Sequence, residues 1–428
     1  MTNPTLKPTT ADQWLAYIEA LHPKSIAMGL DRVSTVAKKL HNKPSFPIIT
    51  VAGTNGKGST CAMLSQIYTV AGYKVGCYTS PHLLRYNERV RINQQEISDS
   101  DLCAAFAAVE NARGNISLTY FEMGTLAALW HFCQSKVDVA VLEVGLGGRL
   151  DAVNIFEPSC CIVTTIDLDH MEFLGDTREK IGFEKAGVFR PSVLAICGDE
   201  NPPNSLMDYA NQINAPLKLI NRDFSVKKFT NSWQYTEKQE EFLFSNLGLQ
   251  GDFQLNNAAC VICAAQHLQS VLPVNITDIY KALQEVTLIG RFYSIQSNPS
   301  IIVDVAHNPH AAFSLAHNLQ ITTCTGRTFA VFAMLADKDI DGVIQAVSSH
   351  ISQWFIADNH SVRGAKALLL FEKLIQHNPN ARSILYSDVI SALSAACDIA
   401  TKNDRIIVFG SFYTVADAIA HVSNKDIK

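Results

Sequence analysis

The sequence predicts an α/β protein in which a three-layer domain with a parallel sheet is followed by a smaller α/β domain, with a ligand cleft between them. Three features of the 428-residue chain predict this arrangement. Short apolar runs alternate with helical patterns, a glycine-rich segment at residues 53–58 joins one run to a helix, and the alternation restarts after residues 296–300. The chain is too long for one ordinary core, so two domains are expected.

The first domain is predicted to contain four buried parallel strands, at Phe46–Val51, Lys74–Tyr78, Val137–Val144 and Cys160–Ile166. Each run is short and continuously apolar, as is typical of strands that are covered on both faces. A helical region, Trp14–Leu40, precedes them, and helical runs at Leu255–Leu268 and Ile276–Val286 close the domain. Residues 224–247 alternate polar and apolar side chains, which predicts a small antiparallel excursion.

The second domain is predicted to have strands at Ile301–Val305, Thr328–Leu335, Trp354–Ala357, Ser383–Tyr386 and Arg405–Phe409. Helical patterns separate these runs, which indicates a smaller, Rossmann-like three-layer domain. We interpret the polar stretch Gln296–Ser300 as the linker. The predicted domains are therefore residues 1–296 and 297–428.

The glycine-rich segment has the composition of a phosphate-binding loop, or P-loop. Its candidate nucleotide-binding residues are Gly53, Thr54, Asn55, Gly56, Lys57, Gly58, Ser59 and Thr60. Between a strand and a helix, backbone N–H groups converge, the helix dipole favours anions, and a lysine can reach the terminal phosphates. An ordinary glycine turn is the alternative. The segment departs from the generic motif because Val51 replaces the first glycine and Gly58 directly follows Lys57.

Composition and charge limit the classes of partner. A net charge of −5 and an isoelectric point near 6.2 give no electrostatic reason to expect nucleic acid or an anionic membrane. Residues 1–12 lack the apolar core of a signal peptide, and the 11 cysteines are scattered through apolar segments. We therefore expect a cytoplasmic protein with reduced thiols. Cys260 and Cys263 form a C-x-x-C inside a helical pattern and are interpreted as core, with zinc or redox chemistry as the alternative.

Several sequence blocks resemble the ATP-dependent amide ligases that include the Mur ligases and the folylpolyglutamate synthases. They are the P-loop variant at residues 53–59, Leu142–Asn154, Asp169–His170, Glu184–Gly187, Gly290–Phe292 and Asp304–His310. These blocks span nearly the whole chain in order, and together they are similar to the bacterial dihydrofolate synthase/folylpolyglutamate synthase family. The resemblance implies ATP and two Mg²⁺ ions as cofactors.

Polar side chains follow the predicted strands of the first domain. Ser80 follows the second strand, Glu143 ends the third and His170 follows the fourth. Because ligands bind beyond the carboxyl ends of parallel strands, these side chains could approach one nucleotide-bound Mg²⁺. Taken singly, each is as easily explained as a helix cap or a structural histidine. The resemblance implies that all three hold magnesium.

Lys185 lies in the block Glu184–Gly187. On spacing alone it would be a solvated surface charge. In the family that this chain resembles, the matching lysine is carbamylated by CO₂ and helps to hold a second Mg²⁺. A partly buried lysine can react in this way because it can lose its proton.

The resemblance also implies contacts to ATP and glutamate. It places Asn257, Arg291 and Asp304 at ATP, puts His307 and Ser411 on the glutamate side, and makes Lys57, Lys185, Asp304 and His307 the candidate catalytic residues. Arg291 could bind phosphate or form a surface ion pair. Asp304 could face the cleft or cap a helix. Asn308–Pro309 favours a helix start, which would put His307 at a helix N-terminus.

The resemblance also implies a pterin substrate. By resemblance, the substrate-side positions include Ile26, Ala27, Thr119, Phe121 and Asp151. Phe121 could stack on a pterin or belong to the core. Ala27 stands where the family often has Asp, so one polar contact to the pterin is missing.

The implied reaction is ATP-driven amide formation through an acyl phosphate, with L-glutamate added to dihydropteroate and to tetrahydrofolate. The absence of Asp at position 27 leaves a monofunctional folylpolyglutamate synthase as an alternative. A Mur-type peptide ligase and a P-loop binding protein without ligase activity are more distant alternatives. A monomer is expected.

Overall fold

The computed structural model describes residues 8–24 and 26–425. The chain divides into two compact units, one of residues up to 247 with 255–286, and one of residues 248–254 with those from 287 onward. This division falls before the predicted boundary at residue 296. In the part of the chain that the structure describes, no helix is long and apolar enough to cross a membrane.

The first unit is built on an eight-stranded sheet. Its strands are β1 Ile48–Ala52, β2 Val75–Tyr78, β3 Val90–Ile92, β4 Gln95–Glu96, β5 Val139–Glu143, β6 Cys160–Val163, β7 Leu194–Cys197 and β8 Leu217–Leu219, in the order β4-β3-β2-β5-β1-β6-β7-β8. The six strands β2, β5, β1, β6, β7 and β8 are parallel, and β3 and β4 add an antiparallel edge. All four predicted strands are present and form the centre of the sheet as neighbours.

Helices cover the first sheet. They are α1 Ala11–Ala20, α2 Asp31–Lys39, α3 Lys57–Val70, α4 Asp99–Arg113, α5 Tyr120–Ser135, α6 Met171–Leu174, α7 Arg178–Ala186, α8 Asn204–Gln212, α9 Phe253–His267 and α10 Ile276–Glu285. The predicted helical region Trp14–Leu40 is in fact two helices. Because side chains alternate along a strand, Ile48 and Ala52 of β1 face one core, which also contains Phe106 and Phe132 of α4 and α5.

The predicted antiparallel excursion is a three-stranded sheet of β9 Phe224–Lys228, β10 Trp233–Glu237 and β11 Glu240–Phe244. Trp233 stacks on Phe244 with a centroid distance of 4.3 Å. Phe244 in turn packs against Tyr280 of α10 at 4.4 Å. Aromatic contacts therefore attach this small sheet to the helices of the first unit.

The second unit has a six-stranded sheet in the order β12-β13-β17-β14-β15-β16. Its elements are β12 Tyr293–Ser297, β13 Ser300–Asp304, α11 Pro309–Ile321, β14 Thr328–Phe332, α12 Ile340–Val347, β15 Gln353–Ala357, α13 Ala367–His377, β16 Ser383–Tyr386, α14 Val389–Ile399, β17 Arg405–Phe409 and α15 Phe412–Lys425. The five predicted strands are present and parallel, around a core that includes Phe332, Trp354 and Phe409. The linker predicted at Gln296–Ser300 is wrong, because this stretch pairs β12 with β13 as a hairpin.

Candidate active site

The P-loop lies at the carboxyl end of β1, and two of its glycines are required by close contacts. Gly53 has φ +148°, and a Cβ there would lie 1.8 Å from Thr164 Oγ1. Gly56 has φ +88°, and a Cβ there would lie 2.6 Å from the amide oxygen of Asn257. Only glycine accommodates both the backbone conformation and the contact. Asn257 of α9, predicted to contact ATP, is therefore placed against the loop.

Two threonines that follow β6 hold the loop in shape. Thr165 accepts the backbone N–H of Thr54 on its carbonyl at 2.7 Å and that of Asn55 on its hydroxyl at 3.1 Å. Thr164 Oγ1 donates to the Asn55 carbonyl at 2.6 Å. Sequence analysis missed this pair, although two hydroxyl residues at the end of a buried apolar run were a usable signal.

The Lys57 ammonium folds over the loop. Its Nζ donates to the carbonyls of Gly53 at 2.9 Å and Thr54 at 3.1 Å. In the first turn of α3, Gly58 adds no side chain, Ser59 and Thr60 are buried, and the Thr60 hydroxyl has no hydrogen-bond partner among the described residues. A cationic amine, a helix N-terminus and a buried hydroxyl around a tight glycine turn fit a bound phosphate chain.

Of the three predicted magnesium ligands, Ser80 and Glu143 are brought into contact. The Ser80 N–H donates to Glu143 Oε2 at 3.0 Å, and Glu143 is paired in register with Val51, just before the P-loop. Glu143 is 4% exposed. His170 lies immediately before α6, with Nε2 4.0 Å from Asp169 Oδ2. The carboxylate of Glu143 beside Ser80 at the start of the P-loop has the oxygen ligands that Mg²⁺ prefers, and the place of His170 in this site stays a prediction.

Lys185 is buried in the last turn of α7 and is only 3% exposed, so the expectation of a solvated surface charge is wrong. Its pKa is lowered from 10.5 to about 7, mainly by burial and also by the nearby Lys57 charge, and Asp169 opposes this change. An amine with this pKa is substantially neutral near pH 7, as attack on CO₂ requires.

The loop 145–151 covers Lys185, and an ion pair fixes it to α7. The Arg149 guanidinium donates to Glu184 Oε1 at 2.7 Å, and the Arg149 N–H donates to the Glu184 carbonyl at 2.8 Å. A Cβ on Gly148 would lie 2.7 Å from that carbonyl and 2.9 Å from the Lys185 carbonyl. Sequence analysis missed the positioning role of this pair, although both residues lie in the quoted blocks.

The candidate pterin-side residues of the first unit have local structural roles. Asp151 accepts the backbone N–H of Leu146 at 2.8 Å and of Val153 at 2.9 Å, and burial raises its pKa to about 7. Thr119 caps α5. Phe121 packs on Tyr78 with a centroid distance of 5.9 Å and is partly buried against the core.

Ile26 and Ala27 lie in the irregular segment between α1 and α2 and are both half-buried. The Arg32 guanidinium holds this segment, since it donates to the Ala27 carbonyl at 2.7 Å. The same guanidinium pairs with buried Glu122 at 3.0 Å. This contact ties the segment around position 27 to α5, which begins beside Thr119.

In the second unit, Asp304 ends β13 and is buried. Its Oδ2 accepts the Phe292 N–H at 2.8 Å and its Oδ1 accepts the Ala306 N–H at 2.8 Å. Burial raises its pKa to about 6, against the opposing charge of Arg291. Asp304 is not a helix cap, because Asn308 caps α11.

Arg291 and His307 converge on the aromatic ring of Phe412. The Arg291 guanidinium lies 5.5 Å from the ring centroid, and the His307 ring lies 6.3 Å from it. His307 Nδ1 contacts the Val305 carbonyl at 2.8 Å. The predicted helix start at Pro309 is confirmed, with His307 just before the N-cap. Two side chains that can carry positive charge therefore meet at the carboxyl ends of β13 and β17.

Ser411 is buried next to Phe412, and its hydroxyl forms hydrogen bonds within the protein. It accepts from Asn359 Nδ2 at 3.1 Å and from the Thr414 N–H at 3.1 Å, and it lies 2.7 Å from the Thr414 hydroxyl. Asn359 follows β15 and was missed by sequence analysis, which had only its position after a strand as a signal.

Comparison with known proteins matches both units. Residues 51–265 match the Mur ligase middle domain, and residues 290–412 match the Mur ligase glutamate ligase domain. Haemophilus influenzae dihydrofolate synthase/folylpolyglutamate synthase is 42% identical, over 97% of this chain and 99% of the relative.

Solved structures agree with this match. The structure of E. coli FolC in complex with DHPP and ADP has a TM-score of 0.93 and 41% identity, and covers 98% of this chain and 99% of the other. A bifunctional folylpolyglutamate synthase/dihydrofolate synthase with Mn, AMPPNP and L-glutamate bound has a TM-score of 0.89 and 43% identity, with coverage of 98% and 100%.

Proposed function

Because the chain belongs to the Mur ligase family and groups there with the dihydrofolate synthase/folylpolyglutamate synthases, we propose that it adds L-glutamate both to dihydropteroate and to reduced folates. It is an ATP-dependent ligase of folate metabolism that uses a divalent metal. The observation that carries the proposal is the glycine-rich cradle of residues 53–60 beside the buried side chains of Glu143 and Lys185.

In the proposed reaction, a substrate carboxylate attacks the γ-phosphorus of ATP and ADP leaves. The amine of glutamate then attacks the acyl phosphate, and phosphate is released. The N–H groups of residues 56–58, at the turn and the first residues of α3, and the Lys57 ammonium bind the triphosphate and neutralise its charge, which is most of what phosphoryl transfer needs. Ser80, Glu143 and His170 would hold Mg²⁺, which would supply further charge neutralisation.

Lys185 is proposed to be carbamylated and to help hold a second Mg²⁺. The reaction joins its neutral amine to CO₂ and releases a proton, so that a cation becomes an anion. Burial and the lowered pKa of Lys185 support this role, since the free amine is the reactive form.

The second unit is proposed to bind anionic groups. The Arg291 guanidinium suits a phosphate, with Asp304 holding the adjacent backbone. His307 lies at the start of α11, where a carboxylate of glutamate is favoured by the helix N-terminus. Ser411 supports this region from α15.

We further propose that the protein acts as a cytoplasmic monomer. All 11 cysteines are free thiols, as expected in a reducing compartment. Light scattering of the purified protein tests the monomer, and fractionation of cells tests the compartment.

The decisive experiment is a coupled assay of ADP release with dihydropteroate and tetrahydrofolate side by side. ADP release should require both the folate and L-glutamate. Turnover without glutamate would contradict ligation. Because Ala27 lacks the carboxylate of the family pattern, a monofunctional folylpolyglutamate synthase is the second candidate. Activity with tetrahydrofolate but not with dihydropteroate would establish the monofunctional enzyme.

A further inference from the structure

A cluster of metal-ligating side chains lies outside the site described above. One potential ligand atom each of Glu237, Cys263 and His267 lies within 4.8 Å of the other two. We propose that these three side chains bind a divalent transition metal of the Zn²⁺ class, and that the ion links the small antiparallel sheet to α9.

The fold brings the three residues together from two elements. Cys263 and His267 are one turn apart on α9, so they project from the same face of the helix. Glu237 ends β10, and its Oε1 lies 3.6 Å from His267 Nε2. Glu237 is 8% exposed and Cys263 is fully buried, whereas the His267 side chain is about one-third exposed. An ion would therefore reach the cluster along the His267 side.

The donor set selects the class of metal. Magnesium and calcium prefer oxygen ligands, whereas a thiolate, an imidazole and a carboxylate are typical ligands of zinc and similar ions. Three protein ligands leave a fourth tetrahedral position for water. On binding, the Cys263 thiol loses its proton to solvent as the sulfur–metal bond forms, and the metal keeps its oxidation state.

Glu237 already has a cationic partner in the structure. The Lys218 ammonium contacts Glu237 Oε1, and the Tyr235 hydroxyl donates to Glu237 Oε2 at 2.5 Å. The metal would replace Lys218 at Oε1, and the long lysine side chain can move to solvent with its proton. Tyr235 would remain as the hydrogen-bonding partner that orients the carboxylate. Lys218 is thus a competitor for the site, which gives the proposal a distinctive test.

The C-x-x-C of α9 is not the metal-binding unit. Cys260 lies one turn before Cys263 and packs against Gly198, where an added Cβ would come within 2.6 Å of the Cys260 sulfur, and it is not one of the three clustered ligands. Cys260 and Cys263 therefore have different neighbours, and Cys260 provides a matched control for the substitution of a buried cysteine.

The test is a Co²⁺ titration of chelator-treated protein in excess Mg²⁺, monitored by absorbance. The wild type should show a thiolate-to-cobalt charge-transfer band in the near ultraviolet, which ligands made only of oxygen and nitrogen do not produce. Cys263→Ser should lose the band, and Cys260→Ser should keep it. Competition with a chromophoric chelator then gives the Zn²⁺ affinity of each variant.

Two further variants keep the proposal testable if a buried cysteine substitution impairs folding. His267→Gln changes a partly exposed residue and should weaken Zn²⁺ binding at least about tenfold, because even the partners behind a metal ligand contribute about 10–100-fold. Lys218→Met should tighten binding, since it removes the competing ammonium. A wild type without the charge-transfer band, a band that survives in Cys263→Ser, or an affinity unchanged in both His267→Gln and Lys218→Met would overturn the proposal.

Discussion

Replacing Lys185 with methionine should abolish ligation and yet stabilise the protein. The side chain is 3% exposed, and burial lowers its pKa from 10.5 to about 7. At about 1.4 kcal/mol per pH unit, this difference corresponds to about 4–5 kcal/mol of stability. Methionine has similar length and no charge to desolvate. After allowance for imperfect packing, we expect Lys185→Met to raise the free energy of unfolding by about 2–4 kcal/mol at pH 7.

The pH dependence of this gain follows from the direction of the pKa change. Below pH 10.5 the unfolded chain binds the Lys185 proton, whereas the folded chain binds it only below about pH 7. The free energy of unfolding of the wild type therefore rises with pH between these values. The gain from Lys185→Met should be largest near pH 7 and should shrink towards pH 10.

The assay is urea unfolding of both proteins in CO₂-free, metal-free buffer at pH 7 and pH 9.5. Lys180→Met is the matched control on the same helix, because Lys180 is exposed and forms an ion pair with exposed Asp176. Its stability should change little. Adding bicarbonate and Mg²⁺ should reduce the difference in free energy of unfolding between Lys185→Met and the wild type, since carbamylation removes the buried cation.

One result would refute the reasoning. If Lys185→Met is less stable than the wild type by the same amount at both pH values, Lys185 is held as an ammonium, with Asp169 as the partner. Carbamylation would then lack its reactive amine.

Three other substitutions test separate parts of the molecule. Lys57→Ala should lower kcat at least about 100-fold with little change in melting temperature, and near-normal turnover would contradict the P-loop assignment. Ala27→Asp should lower the KM for dihydropteroate more than that for tetrahydrofolate, by about 10–100-fold if it pairs a buried pterin N–H, and unchanged KM values would refute this. Asp404→Asn should cost about 2–4 kcal/mol at neutral pH, because the carboxylate accepts the N–H groups of Arg327 and Thr401. The Arg327 hydrogen bonds hold the pKa of Asp404 well below its usual range, so the advantage of the wild type should be lost as pH falls below about 4, and a loss that persists in acid would contradict this.

The central strands were predictable because burial on both faces leaves a continuous apolar run in the sequence. β1 and β5 are fully buried and were located within two residues at each end. The edge strands were missed because they lack this signal. β4 consists of two exposed polar residues, and β12 is largely polar, so that its last two residues were assigned to a linker. An edge strand pairs with only one neighbouring strand and need not be apolar, so it is recognised only once the fold is known.

The site was predictable where chemistry depends on a short motif and unpredictable where it depends on packing. The glycines at positions 53 and 56 are in the motif because their neighbours leave no room for a side chain. The burial of Lys185 had no local sign, since it results from loop 145–151 lying on α7. The support of Ser411 by Asn359 likewise joins residues 52 positions apart.

Three predicted contact residues use their side-chain oxygens on the protein itself, and this changes how their substitutions should be interpreted. Asp151 and Asp304 each accept two backbone N–H groups, and Ser411 accepts from Asn359 and Thr414. Replacing any of these residues therefore removes hydrogen bonds that hold a loop in place, in addition to any contact with the substrate. A buried N–H group left without its acceptor costs about 1–3 kcal/mol, which is enough to shift a loop. The loss of activity at these positions should therefore appear together with a loss of stability, whereas Lys57 should lose activity alone. The side chains thus shape the loops, and we expect the loop backbone and the Lys57 ammonium to bind the phosphates.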